Sequence, residues 1–202
     1  MKLAVQIILN TILKQTNGRY NMTNKIIFSR SLEIFHDRLR IAHYYFQEQK
    51  EIAKQRDVDG GKIYREYRSL PFIKKAYFEQ AVIILCTLFE KTSPVSLFQL
   101  RETLENEKIS AQKFDEYFQE FSRIFDGLKT IRDKSIAHFE DYEIDQFYEA
   151  ANITSVDIDS LFLALLAYLK ELVRLSGVKL GYELTLSYNA NYEIKQIYSK
   201  LE

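Results

Sequence analysis

The chain has no tryptophan, one cysteine, two prolines, six glycines and three histidines in 202 residues. A single cysteine excludes an internal disulfide, and Cys86 lies in an apolar run where a buried, unreactive thiol is expected. Few prolines and glycines leave little to interrupt long helices. With so few histidines and cysteines there is no paired-cysteine zinc spacing and no His-Glu-x-x-His, and neither a phosphate-binding Walker loop nor a dinucleotide fingerprint occurs. No metal and no cofactor are therefore expected. The 28 basic and 28 acidic residues cancel, so no whole-molecule field draws the chain to nucleic acid or to an anionic membrane. Any basic surface must be local. The most apolar stretch, Ala81 to Phe89, is too short to span a bilayer, and the first residues carry no small-residue cleavage site. These features suit a cytoplasmic protein with no membrane partner.

What the chain does have is long helical seams. From about Asn24 to Arg56, Phe28, Leu32, Phe35, Leu39, Ala42, Phe46 and Ala53 recur at spacings of three and four, the mark of one packed helix. Gly60-Gly61 ends it. The preceding Asp57 and Asp59 mimic the start of a calcium loop, but Arg68 stands where the bidentate glutamate belongs, so no metal is assigned there. A helix from about Pro71 to Lys91, apolar on all sides near its end, is expected at the centre of a bundle. Ser93-Pro94 stops it, and Ser96 caps a short helix bearing Leu97, Leu100 and Leu104. From Ser110 a further seam runs through Phe114, Tyr117, Phe121, Ile124, Leu128, Ile131 and Ser135, with His138 as its next step. Thr154 and Asp157 form a capping box for the last core helix, which ends at Gly177.

The fold class is all-α: a bundle of about five main helices with a small irregular or short-strand tail, in a single domain spanning residues 1–202. Residues 1–22 read as a peripheral leader and 178–202 as an appendage. In that tail Tyr182, Leu184, Leu186 and Tyr188 alternate as a strand would, and Tyr192 to Leu201 has helical character.

Lys62 to Lys75 interleaves rings and cations: Tyr64, Arg65, Tyr67, Arg68, Phe72, Lys74, Lys75. Arg65, Arg68, Lys74 and Lys75 are candidate RNA contacts because cations hold phosphates while rings stack on bases. The competing reading is a solvated connection with a few anchoring rings. Arg40 and His43 on the first helix are further candidates, the alternative being a polar margin of the core that also holds His36.

The residue type best suited to proton transfer near neutrality is histidine. Spacing alone does not choose one. Arg132 precedes His138 with five residues between, but Arg30 precedes His36 in the same way and Arg38 precedes His43 with four between. Context chooses. Arg132-Asp133-Lys134-Ser135-Ile136-Ala137-His138, near the end of the long helix before the last core helix, resembles the signature of the HEPN superfamily, and its Arg-Asp-Lys-x-x-Ala-His form resembles the abortive-infection branch. Ser96-Leu97-Phe98-Gln99-Leu100, after a helix ending Leu88-Phe89-Glu90-Lys91, is similar to the Ser-Leu-x-x-Leu segment of those proteins. The resemblance spans about Asn24 to Gly177.

It implies a helical bundle that forms a homodimer with two motif copies facing one cleft, and a metal-independent endoribonuclease acting as a toxin or phage-defence effector, with RNA as substrate and a cognate antitoxin protein as partner. Arg132 and His138 would then be catalytic, Asp133 and Lys134 auxiliary. A planar cationic fork suits a phosphate and its phosphorane-like transition state, and an imidazole suits transfer of the 2′-hydroxyl proton. On an α-helix the two side chains would lie about 120° and roughly 9 Å apart, whereas Lys134 and His138 would share a face. The alternatives are a non-catalytic module of the same fold that uses Arg132, Lys134 and the Lys62 to Lys75 stretch to hold RNA or a nucleotide, and a structural or partner-interaction protein in which His138 bonds a helix-end carbonyl while Arg132 pairs with Glu140 or Asp141.

Overall fold

The computed structural model describes residues 2–58, 60–106, 112–137 and 144–187. Among them are seven α-helices and one π-helical turn: α1 (Lys2–Val58), α2 (Lys62–Glu66), α3 (Leu70–Phe89), α4 (Leu97–Asn106), α5 (Gln112–Arg132), the π turn (Asp133–Ala137), α6 (Ile144–Ala151) and α7 (Ser155–Ser176). The expected all-α class holds. No single described helix is long and apolar enough to cross a membrane.

The seams become one core. On α1 the residues at three- and four-residue steps, Phe28, Leu32, Phe35, Leu39, Ala42 and Phe46, are all buried. They pack chiefly against α3, whose Phe78, Ala81, Val82, Leu85 and Leu88 are buried in turn. On α5 the same spacing buries Ile124, Leu128 and Ile131. The terminators act as the sequence implies. Gly60 and Gly61 adopt φ of 63° and 80°, a left-handed turn that a side chain resists. Ser96 Oγ accepts the Gln99 N–H at 3.3 Å to start α4. Thr154 Oγ1 accepts the Asp157 N–H at 3.2 Å while Asp157 Oδ2 accepts the Thr154 N–H at 2.7 Å, a closed capping box. Gly177, at φ 63°, ends α7.

The residues read as a peripheral leader lie on the same helix as the first seam, α1, which runs from Lys2 for 57 residues. One element departs from the expectation. The acidic stretch after residue 138 hides a further helix, α6, whose Ile144 and Phe147 are buried. Its acidic residues mask the pattern because they lie on the side away from the core.

At α6 the chain passes close to α5. A Cβ on Gly127 would stand 2.6 Å from Ile153 Cγ2 and 3.1 Å from the Ala151 carbonyl oxygen. In an open helix Gly→Ala stabilises by about 1 kcal/mol. Here the backbone contact reverses the sign, and Gly127→Ala is expected to destabilise by about 1–3 kcal/mol. Urea unfolding midpoints of the two proteins test this; an increase would mean that α6 gives way easily.

The tail does not form a strand among the described residues. From Val178 to Ser187 it is irregular, with a bend at Gly181 and Tyr182, and Leu184 and Leu186 are buried while Glu183 and Ser187 face solvent. Alternation was legible; the partner is a helix surface instead of a sheet. The expected helix at Tyr192 to Leu201, and Tyr188, lie outside the described residues.

Candidate active site around the end of α5

Arg132 is the last residue of α5. Burial of Phe125, Leu128 and Ile131 fixes the roll of that helix. The Phe125 ring stacks on Phe89 at the end of α3, with centroids 4.6 Å apart. The ends of α3 and α5 are thus held side by side, and the residue that follows α3, Glu90, meets the last residue of α5. Arg132 Nη1 donates to Glu90 Oε1 at 2.7 Å, while Nε and Nη2 both reach Asp133 Oδ1 at 3.0 Å. The Arg132 side chain is 31% exposed, against 40% for Glu90 and 56% for Asp133. Burial of the guanidinium works against its charge, but Asp133, Cys86 and Glu90 outweigh it and raise its pKa. The cation is firmly held and reaches solvent. Lys129, one turn earlier, pairs with Asp126 at 3.6 Å and lies over the Phe125 ring at 4.2 Å.

From Asp133 to Ala137 the helix widens to a π turn. Such turns bond i to i+5 and are found disproportionately at functional sites. The α-helical rotation behind the 120° estimate therefore does not hold from Asp133 to Ala137. Lys134 is half-buried in this turn. Ser135 is buried, as its seam position required, and its Oγ has no hydrogen-bond partner among the described residues. His138 lies outside the described residues, as do Glu140 and Asp141. The carboxylates found on Arg132 are Glu90 and Asp133.

Cys86 sits one turn before Glu90. Burial pushes its thiol up to about 12, and the nearby Arg132 offsets this only in part. At that value the thiolate is negligible at neutral pH, so the expectation of an unreactive buried cysteine holds.

The other candidate contacts are not gathered at Arg132. Arg65 and Arg68 are exposed around α2, and Arg65 Nη1 donates to the Gly60 carbonyl at 3.0 Å. Lys74 is buried in α3 instead of being presented to a ligand. Lys75 lies over the Phe147 ring at 5.8 Å. Phe72, by contrast, is 77% exposed. Arg40 and His43 face the tail. Arg40 Nη2 donates to the Ser187 carbonyl at 3.5 Å, and His43 Nδ1 lies 3.2 Å from that of Leu186.

His36 and His43 together hold the tail on α1. His36 is fully buried, with Nε2 at 2.9 Å from the carbonyl oxygen and 3.3 Å from the amide nitrogen of Thr185, so either ring tautomer finds a backbone partner. Its ring stacks on Tyr182 at 5.4 Å. His43 packs edge-on against Phe162, and its Nε2 lies 3.3 Å from the Gln47 amide nitrogen, which also donates to Asp159 on α7. A cleft of about 530 Å³ opens beside this seam, lined by Arg30, Glu33, Asp37, Arg40, Tyr182 and Glu183 among others. It contains three carboxylates and two guanidinium groups and does not include Arg132.

Burial lowers the pKa of both histidines, against weaker opposing pulls from the backbone bonds to Thr185 and Leu186. A lowered folded-state pKa means that the unfolded chain binds protons more readily. The stability contributed by the neutral rings is present above about pH 6.5, the unfolded value, and is lost as pH falls through the lower folded values. Unfolding midpoints are expected to drop between pH 7.5 and pH 5.5, and to drop less in a His36→Asn, His43→Gln double variant. Equal losses in both proteins would remove the histidines as the cause.

The comparisons with known proteins bear on the same region. The family model described as AbiU2, of the HEPN type, matches residues 32–179. That span holds α1 from Leu32 onward, the α3 terminus with Glu90, and the whole of Arg132 to His138. The chain belongs to the HEPN AbiU2 family. Neither the curated proteins nor the solved structures give a match. As an AbiU2-family HEPN domain the chain is of an abortive-infection type, and the family span coincides closely with the residues 24–177 on which the sequence resemblance rests. The last described part of the tail, beyond residue 179, falls outside the match although it docks on α1. Glu90 was not legible as a partner of Arg132, since only the fold brings together residues 42 positions apart.

Proposed function

We propose that this AbiU2-family protein is a metal-independent endoribonuclease of phage defence, a cytoplasmic toxin whose homodimer places two copies of Arg132 and His138 at one cleft and whose activity a cognate antitoxin protein restrains. The observation that carries the reading is Arg132 itself. A core-anchored helix ends on a guanidinium that reaches solvent, inside the family's matched span and six residues before a histidine.

In the proposed reaction, the neutral His138 imidazole takes the proton from a ribose 2′-hydroxyl. That oxygen attacks the adjacent phosphorus, the bond from phosphorus to the 5′-oxygen breaks, and the leaving oxygen is protonated by an imidazolium, supplied by the second copy in a symmetric cleft. Arg132 compensates the extra negative charge on the phosphorane oxygens. Asp133 keeps the guanidinium in place and Lys134 adds a cation for an adjoining phosphate. Since the nucleophile belongs to the substrate, RNA is cut and DNA of the same sequence is not. Incubating both with purified protein in EDTA tests this, with cleavage of RNA alone as the expected result. Cleavage of neither, or of both, rejects the reaction.

One observation favours the non-catalytic alternative, a HEPN module that only binds RNA or a partner: two carboxylates already occupy Arg132. Salt-sensitive RNA binding that weakens in Arg132→Ala, survives His138→Ala and occurs without turnover would identify that module.

A further inference from the structure

Arg132 carries one positive charge and touches two negative ones. The trio therefore bears a net charge of −1, and an approaching phosphodiester meets a repelling group until one carboxylate leaves. The two carboxylates are not equivalent. Asp133 is the next residue in the chain and takes the Nε and Nη2 edge of the fork, so it moves with Arg132. Glu90 comes from a different element and takes Nη1 alone. It is the C-cap of α3, the first residue with extended backbone (φ −78°, ψ 125°), and the non-helical segment 91–96 follows it. Its side chain is 40% exposed, so it can swing into water without disturbing α5 or the core. A monodentate carboxylate on an exposed fork is also the kind of contact that a phosphate oxygen reproduces most directly.

We propose that Glu90 is a built-in competitor for the phosphate that Arg132 binds: it occupies Nη1 in the free protein and is displaced when RNA enters. This rests on the reading of Arg132 as a phosphate-binding residue. Glu90 thereby sets the threshold of RNA affinity, and it holds the guanidinium in a charge-compensated state when no substrate is present. A weak exposed pair suits that role, since a strong one would shut the site permanently.

The test uses binding instead of turnover, with a 2′-O-methyl RNA that offers no nucleophile. Glu90→Gln keeps the shape and removes the charge, so it is expected to bind this probe about two- to fivefold more tightly than the wild type, as loss of an exposed ion pair allows. Glu90→Ala is expected to move in the same direction. In an Arg132→Ala background the Glu90→Gln gain is expected to vanish, because the competitor then has nothing to compete for. In cleavage assays the same charge removal is expected to lower KM and leave kcat unchanged. Unchanged or weaker binding in Glu90→Gln overturns the proposal and makes Glu90 a residue that merely steadies Arg132. An equal gain in both backgrounds overturns it as well, as general charge repulsion. If Arg132→Ala binds the probe as tightly as the wild type, it is the reading of Arg132 that fails; if Arg132→Ala binds more weakly but Glu90→Gln shows no gain, only the competitor role falls.

Discussion

Alanine at position 138 is expected to lower the rate of RNA cleavage by about 10²- to 10⁴-fold, the usual contribution of a positioned general acid or base. Among the described residues near the motif, nothing replaces the lost function. Cys86 is a thiol whose pKa burial raises to about 12, and the guanidinium of Arg132 is held as a cation by its carboxylate partners. His36 and His43 are engaged with the tail. A His138→Ala protein should therefore bind RNA much as before and turn it over hardly at all, a change in kcat with little change in KM. Initial rates on end-labelled RNA, beside probe binding by anisotropy, separate the two quantities. If two copies of His138 divide the roles of base and acid, the wild-type rate should also be bell-shaped in pH, and that shape should disappear in the variant. A His138→Ala protein that cleaves at the wild-type rate would take residue 138 out of the chemistry.

Arg132→Ala is expected to cost about 10²- to 10³-fold in kcat, as does removal of a donor aimed at developing negative charge. Its effect on binding should be larger than that of His138→Ala. The substitution removes both the charge and the planar fork, the group that would hold the phosphate. Arg132→Lys retains the charge without the fork. It cannot hold Asp133 through two nitrogens and present a third to a phosphate, so its rate should fall between the wild type and Arg132→Ala. Stability should scarcely change, because solvent-exposed ion pairs contribute about 0–1 kcal/mol. Equal rates for the lysine and arginine forms would show that charge alone suffices and that the fork has no role.

Seams and caps were the most legible part of the molecule. Phe28 to Phe46 on α1 and Ile124 to Ile131 on α5 are buried as their spacing required, since a helix that packs on one side repeats every three to four residues. The Thr154 capping box and Gly177 terminator could be read because each is a local contest for backbone hydrogen bonds, decided within four residues. Long-range partners were not legible. That Glu90 meets Arg132, or that Thr185 and Leu186 are held by His36 and His43, depends on where helices cross. Alternation of Leu184 and Leu186 showed that one side of the tail is buried, but a ladder and a helix groove impose the same alternation. The π turn at Asp133–Ala137 was equally hidden. Its residues read as ordinary helix, and the altered rotation that it gives the motif is the main revision to the sequence-based geometry. The family could be read from Arg132-Asp133-Lys134-x-x-Ala137-His138, while the electrostatic state of Arg132, a guanidinium shared by two carboxylates, could not.

The direct measurement is the chemistry of the ends that the protein leaves on RNA. Attack by the substrate's own 2′-hydroxyl, helped by His138 and Arg132 without a metal, produces a 2′,3′-cyclic phosphate on one fragment and a 5′-hydroxyl on the other. Mass spectrometry of RNA treated in EDTA should find these ends with the wild-type protein, and intact RNA with His138→Ala. Fragments bearing 5′-phosphate and 3′-hydroxyl ends, or cleavage that appears only when a divalent cation is restored, would contradict it.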